Sequence, residues 1–129
     1  MWATFDRDDA YHALCSQLLA DSREPRILPA PVLVEFDHFA SRQRDRRALD
    51  VLLGEIDRGA YEVEDLLASD YRRVRELLAT YGDLRVGFVD AAVLAVTERL
   101  REPKLATLDH RHFSVMRPRH VDALELLPA

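Results

Sequence analysis

The stretch from Phe88 to Leu100 constrains the fold of this chain more than any other part of the sequence. It contains the run VDAAVLAV, whose alanine, valine and leucine residues make a helix apolar on most of its sides. A helix without a broad polar face is buried inside a layered domain, because solvent contact would expose its apolar surface. We therefore predict a buried helix over this stretch, crossing under a sheet.

Short apolar runs alternate with amphipathic segments of helical periodicity through the rest of the chain. Helices are predicted over Asp8–Leu19, from Pro31 past Phe39, over Arg46–Arg58 up to Gly59 and from Tyr71 to Gly82, with strands at Arg26–Leu28, Tyr61–Val63, Leu105–Leu108 and Ala123–Leu127. Short strands alternating with helices predict a mostly parallel sheet covered on both faces. The expected fold class is α/β, with three layers in the order α/β/α.

Length and composition predict one intracellular domain. A chain of 129 residues with 48% hydrophobic content buries one core of ordinary size, so we expect a single domain over residues 1–129. No run of eighteen apolar residues occurs and the N-terminus does not resemble a signal peptide, so we expect a cytoplasmic protein without a membrane segment. Cys15 is the only cysteine and is predicted to lie in the core. With no second cysteine, His110 and His112 do not indicate a zinc site.

The net charge of −5 argues against a protein that coats nucleic acid by bulk charge, but arginines cluster locally. Arginine suits bidentate phosphate contacts better than lysine does, and the chain has a single lysine. Solvated helix faces would explain any one of these clusters equally well. The clusters are Arg42, Arg44, Arg46 and Arg47; Arg72, Arg73 and Arg75; and Arg111, Arg117 and Arg119 with His110, His112 and His120.

Three carboxylates stand where the local pattern makes an acid conspicuous. Glu35 lies in PVLVEF, Asp90 in GFVDAAVLAV, and Asp109 directly follows the predicted strand in KLATL. Each follows the exit of a strand or opens a helix beside one, so we expect them at the same edge of the sheet. Carboxylates brought together in a partly dry cleft repel one another, and a hard divalent cation relieves that repulsion. Such a site suits metal-assisted phosphodiester hydrolysis.

Each acid also has an ordinary structural explanation. Asp90 is a candidate helix N-cap after Gly87, and Asp109 a candidate cap for the turn at His110–Phe113. Glu35 alone would be interpreted as an exposed helix acid. The joint placement of the three favours the metal site.

Three segments carry a family resemblance. LPAPVLVEFDHF, GFVDAAVLAVTERL and LATLDHRHFSVMRP resemble the second, third and fourth acidic motifs of PIN-domain toxins of the VapC family, and ALELLP resembles their last strand. The resemblance implies a PIN-like fold and an endoribonuclease toxin of a toxin–antitoxin pair. It also implies that Glu35, Asp90 and Asp109 are catalytic, metal-binding acids for Mg²⁺ or Mn²⁺.

The same resemblance suggests residues around the acids and partners for the protein. Thr107 matches a hydroxyl position beside the site, and Asp37 falls on an acid frequent in these toxins. We expect Arg42, Arg46 and Arg111 to contact RNA phosphates. The implied partners are structured RNA as substrate, a second copy of the chain in a homodimer, and a small antitoxin whose C-terminal segment occludes the site.

One departure from the family pattern bears on activity. These toxins open with an apolar strand that ends in an Asp, whereas Met1–Asp6 corresponds to the region just after that acid. The first strand and first acid of the family are therefore missing from this sequence, and we expect impaired cleavage unless the true start lies upstream. The alternative function is a dimerising, antitoxin-binding PIN-like module without cleavage. A phosphoacceptor receiver domain is disfavoured, because Lys104 precedes its strand instead of following a late one.

Overall fold

The computed structural model describes residues 26–42, 46–107 and 110–127. Strands and helices alternate as predicted, and the four long helices in these ranges were each expected from the sequence. The predicted helix over Asp8–Leu19 and the predicted core residue Cys15 lie outside the described residues. The elements are β1 (Ile27–Pro29), α1 (Ala30–Arg42), α2 (Arg46–Asp57), β2 (Glu62–Glu64), α3 (Ala68–Tyr81), a 3₁₀ helix (Gly82–Leu84), α4 (Phe88–Arg99), β3 (Lys104–Ala106), α5 (His110–Val115) and β4 (Glu125–Leu127).

The strands pair in parallel, as the sequence predicts. β1 pairs with β2, with Leu28 opposite Val63, and β3 pairs with β4, with Leu105 opposite Leu126. Among the described residues these are two separate two-stranded sheets, whereas the sequence predicts a single short sheet. Each parallel pair is joined by a helical crossover, which is the connection that parallel strands require.

The described residues form two compact units, one over residues 26–64 and the other within Asp65–Leu127. In the first unit, one face of α1 and one face of α2 pack together with β1. The buried positions on each helix are four residues apart, which places them on one side of the helix. The buried core of this unit consists of Leu28, Phe36, Ala40, Ala48, Leu52 and Tyr61.

The second unit is built around α4, which confirms the predicted buried helix. Seven consecutive residues, Ala91–Thr97, are buried, so this helix is covered on all sides over two turns. α3 packs beside it through the buried side chains of Val74 and Leu77. No helix in the described part of the chain is long and apolar enough to cross a membrane.

Two arginine–carboxylate pairs tie α3 to α4. Arg99 Nε lies 3.1 and 3.0 Å from the two carboxylate oxygens of Asp70, which also accepts a hydrogen bond of 2.9 Å from the backbone N–H of Leu67. Arg73 donates to both oxygens of Glu98, at 2.9 Å from Nε and 3.0 Å from Nη2. The Arg73–Glu98 pair is bidentate, and together with the Asp70–Arg99 pair it fixes the distance and the orientation of the two helices.

Two helix ends differ in how the chain turns. Gly59 has a φ of 82° just after α2, as predicted for a helix-ending glycine. The α-helix α3 ends at Tyr81 with Gly82 as its C-cap, as predicted, but Gly82 has an ordinary helical φ of −57° and the chain continues into the 3₁₀ helix. The left-handed residue there is Arg85, with a φ of 59° and a backbone hydrogen bond of 3.2 Å to the carbonyl of Gly82.

Replacing Asp70 with alanine should lower the free energy of unfolding by about 3 kcal/mol, because its carboxylate is 3% exposed and neutralises Arg99. Urea denaturation of the two proteins measures the difference. The matched control is Arg58→Ala, which breaks the solvent-exposed pair with Glu55 and should cost less than about 1 kcal/mol. Equal, small losses in both variants would show that the Asp70–Arg99 pair does not hold the two helices.

Candidate functional site

Asp90 occupies the first turn of α4. The helix has Gly87 at its N-cap position, so Asp90 is the third helical residue and the alternative that Asp90 itself is the N-cap was wrong. A carboxylate in the first turn is favoured by the positive end of the helix dipole. Asp90 directly precedes the buried run Ala91–Thr97, and its side chain remains 23% exposed. The buried helix therefore fixes the acid at the boundary between core and solvent.

His112 on α5 contacts this acid. Its Nδ1 lies 2.8 Å from Asp90 Oδ2, and the imidazole is 15% exposed. An ionised carboxylate can only accept hydrogen bonds, so Nδ1 carries the proton and donates it to Asp90. The sequence pattern groups His112 with a basic cluster and does not reveal this partnership. The sequence signal nearby was the apolar Phe113, which is buried in the structure and anchors α5.

A comparison with Asp70 shows what is unusual about Asp90. Both acids are the third residue of their helix, after Leu67 and Gly87 respectively. Asp70 is neutralised by the guanidinium of Arg99 and is almost fully buried. Asp90 faces an imidazole instead of an arginine and is partly open to solvent. Its negative charge is therefore better placed to attract a cation than that of Asp70.

The other predicted acids are distributed along the chain. Glu35 and Asp37 lie on α1 in the first unit, where both are exposed. Asp109 lies outside the described residues. In the ranges that the structure describes, no three His, Cys, Asp or Glu side chains are grouped as a metal site would need. The common site of Glu35, Asp90 and Asp109 therefore stays a prediction.

Thr107 lies directly after β3, two residues before Asp109. Its backbone N–H donates a hydrogen bond of 2.8 Å to the carbonyl of Leu127 on β4, which continues the strand pairing by one step. Thr107 is thus held at the carboxyl end of the β3–β4 pair, where the family resemblance expects a hydroxyl. Its role in the site stays a prediction.

The three arginines predicted to contact RNA lie on three different helices. Arg42 is exposed at the last position of α1, and Arg111 is exposed on α5, next to His112. Arg46 opens α2, but its side chain lies outside the described residues. Of these, Arg111 is the one that the structure places beside the Asp90–His112 pair.

Two other arginines of the predicted basic clusters have structural partners. Arg73 is bonded to Glu98 and Glu76, and Arg119 is paired with Glu76. Burial by itself would lower the pKa of Arg73, but hydrogen bonds and charge from Glu98 outweigh it and raise that pKa, so the guanidinium stays charged. Arg73 is therefore already paired with Glu98 of α4 and is a poor candidate for phosphate binding.

The family follows from a sequence comparison. The sequence profile of the PIN domain matches residues 1–117, which includes the segments with Glu35, Asp90 and Asp109. The chain belongs to the PIN domain family. This membership confirms the family that the three acidic motifs had suggested.

Two proteins similar to this PIN protein are VapC proteins. Ribonuclease VapC26 of Mycobacterium tuberculosis is 30% identical over 116 residues, covering 90% of this chain and 86% of that protein. The crystal structure of VapC20 of the same organism, a sarcin–ricin loop cleaving toxin, superposes with a TM-score of 0.70 at 24% identity over 79% of this chain and 78% of that one. The predicted PIN-like α/β fold is confirmed, with short parallel strands in a helix-rich domain.

Proposed function

We propose that this PIN protein is a divalent-metal-dependent endoribonuclease that acts as the toxin of a toxin–antitoxin pair. The observation that carries the proposal is Asp90, an acid held at the start of a buried helix, partly open to solvent and bonded to a histidine. An acid kept at such a position fits a catalytic or metal-binding role.

The named relatives support the same activity. VapC26 is a ribonuclease and VapC20 is a toxin that cleaves the sarcin–ricin loop. The match to VapC26 spans most of both chains, so the similarity extends over the greater part of the domain. We infer that this protein also acts on structured RNA and that residues 1–129 form a single PIN-like domain.

The metal proposal rests on the chemistry of the donors. Glu35, Asp90 and Asp109 would supply carboxylate oxygens, which are the ligands preferred by Mg²⁺ and Mn²⁺. Asp90 fits this role because its carboxylate is partly exposed and His112 is bonded to its Oδ2 atom. When bound, such a cation polarises the scissile phosphodiester and makes water a stronger nucleophile. Thr107 and Asp37 are proposed to lie around these ligands.

The chain's own side chains would bind and orient the RNA. Arg111 is exposed one residue before His112, so a phosphate held by its guanidinium would lie near Asp90. Arg42 and Arg46 are proposed as further phosphate contacts. The contribution of each is a local one, because the protein as a whole carries a net charge of −5.

The remaining parts of the proposal follow from the VapC relationship. We propose a cytoplasmic homodimer whose partner is a small antitoxin protein. The second candidate function, an antitoxin-binding module without cleavage, has the same partners but requires no metal and no Asp90. A cleavage assay therefore separates the two functions.

Asp90→Asn should reduce the rate of RNA cleavage by at least about 100-fold, because a cation that loses a ligand is misplaced relative to the phosphodiester. Asp109→Asn should have a similar effect. The assay incubates purified protein and total RNA with Mg²⁺ or Mn²⁺ and measures fragments over time. The control is Asp83→Asn, which removes an exposed acid of the 3₁₀ helix and should leave the rate unchanged. Absence of any metal-dependent cleavage by the wild-type protein would favour the binding module.

Arg111→Ala should weaken RNA binding and make it less dependent on salt. Losing one phosphate contact should lower the slope of log K against log salt concentration by about 0.7 to 0.9. Binding is measured in the Asp90→Asn background, which prevents cleavage during the titration. Arg58→Ala, an exposed arginine paired with Glu55, is the control. An unchanged slope for Arg111→Ala would show that Arg111 does not contact an RNA phosphate.

A further inference from the structure

The hydrogen bond between His112 and Asp90 points to a role that the proposed function does not yet include. We propose that His112 is a positioning residue, which orients the carboxylate of Asp90 for the divalent cation. This inference rests on the proposed function, because it assumes that Asp90 is a metal ligand. The observation behind it is the 2.8 Å hydrogen bond between His112 Nδ1 and Asp90 Oδ2.

The chemical reason lies in the two equivalent oxygens of a carboxylate. Without a fixed partner, the group rotates about its last torsion angle, which has a broad energy minimum. A donor on Oδ2 sets that rotation and directs Oδ1 to a defined position. Carboxylates that bind metal ions are commonly held by such outer hydrogen bonds, and their loss weakens binding.

His112 is held firmly enough to act in this way. Its neighbour Phe113 and the nearby Met116 are both buried, so α5 is anchored by its apolar side. The backbone N–H of Arg117, just after α5, donates a hydrogen bond of 3.0 Å to the hydroxyl of Tyr81 on α3. These contacts attach α5 without the imidazole, so the bond to Asp90 is not needed to hold this helix.

The type of donor also matters. An arginine in place of His112 would neutralise Asp90, as Arg99 neutralises Asp70 in the same unit. Nδ1 of the imidazole offers one N–H to Asp90 from a short, rigid side chain. The pair therefore fixes the geometry of the carboxylate, which favours binding of a divalent ion.

The test is the affinity of the full chain for Mn²⁺, measured by isothermal titration calorimetry without RNA. His112→Asn places an amide N–H near the position of Nδ1, so it should keep the affinity within about threefold of the wild type. His112→Leu removes the donor at similar volume and should weaken Mn²⁺ binding by about 10-fold to 100-fold. Ser114→Ala, an exposed residue of the same helix, is the control and should bind as the wild type does.

Thermal unfolding without metal checks that each variant folds, and His112→Ala replaces the leucine variant if leucine prevents folding. The proposal is overturned if the variant without a donor binds Mn²⁺ as tightly as the wild type, or more tightly. It is also overturned if asparagine and leucine weaken binding equally, since the donor would then not matter. A wild-type protein that binds no Mn²⁺ overturns the proposed metal site itself, which is a different result from either of these.

Discussion

Burial of α4 is the constraint on which the second unit depends. Seven consecutive buried residues leave this helix no freedom to rotate or slide, because any shift would bring apolar side chains to solvent. Asp90 directly precedes this run, so the burial of the helix also fixes the position of Asp90. The most apolar segment of the sequence therefore holds Asp90, its one acid in the proposed site, in a defined position.

The distribution of charged partners explains which acids are available for chemistry. Asp70 and Glu98 are bonded to Arg99 and Arg73, and these pairs join α3 to α4. Their charges are neutralised within the fold. Asp90 is bonded to His112 and keeps a partly exposed carboxylate, so two acids in equivalent helix positions have different surroundings. The donor beside each acid, an arginine or a histidine, is what distinguishes them.

The sequence predicts the elements of this fold better than their contacts. The buried helix α4, the parallel strands and the place of Asp90 next to the buried run follow from local patterns. The partners of Asp70 and Asp90 do not, because Arg99 and His112 are 29 and 22 residues away and no local period relates them. Asp70 lies in the polar sequence SDYRRVRE, which indicates an exposed face, and only the packing of α3 on α4 buries it. Glu35 and Asp109 remain candidates known from their motifs.

The central claim is that Asp90 is a ligand of the divalent cation on which the proposed cleavage depends. The most direct measurement is a Mn²⁺ titration of the wild type and of Asp90→Asn, with Asp83→Asn, which changes an exposed acid of the 3₁₀ helix, as the control. The account predicts that Asp90→Asn weakens Mn²⁺ binding by about 10-fold or more, whereas Asp83→Asn binds as the wild type does. Wild-type affinity in Asp90→Asn would contradict the claim.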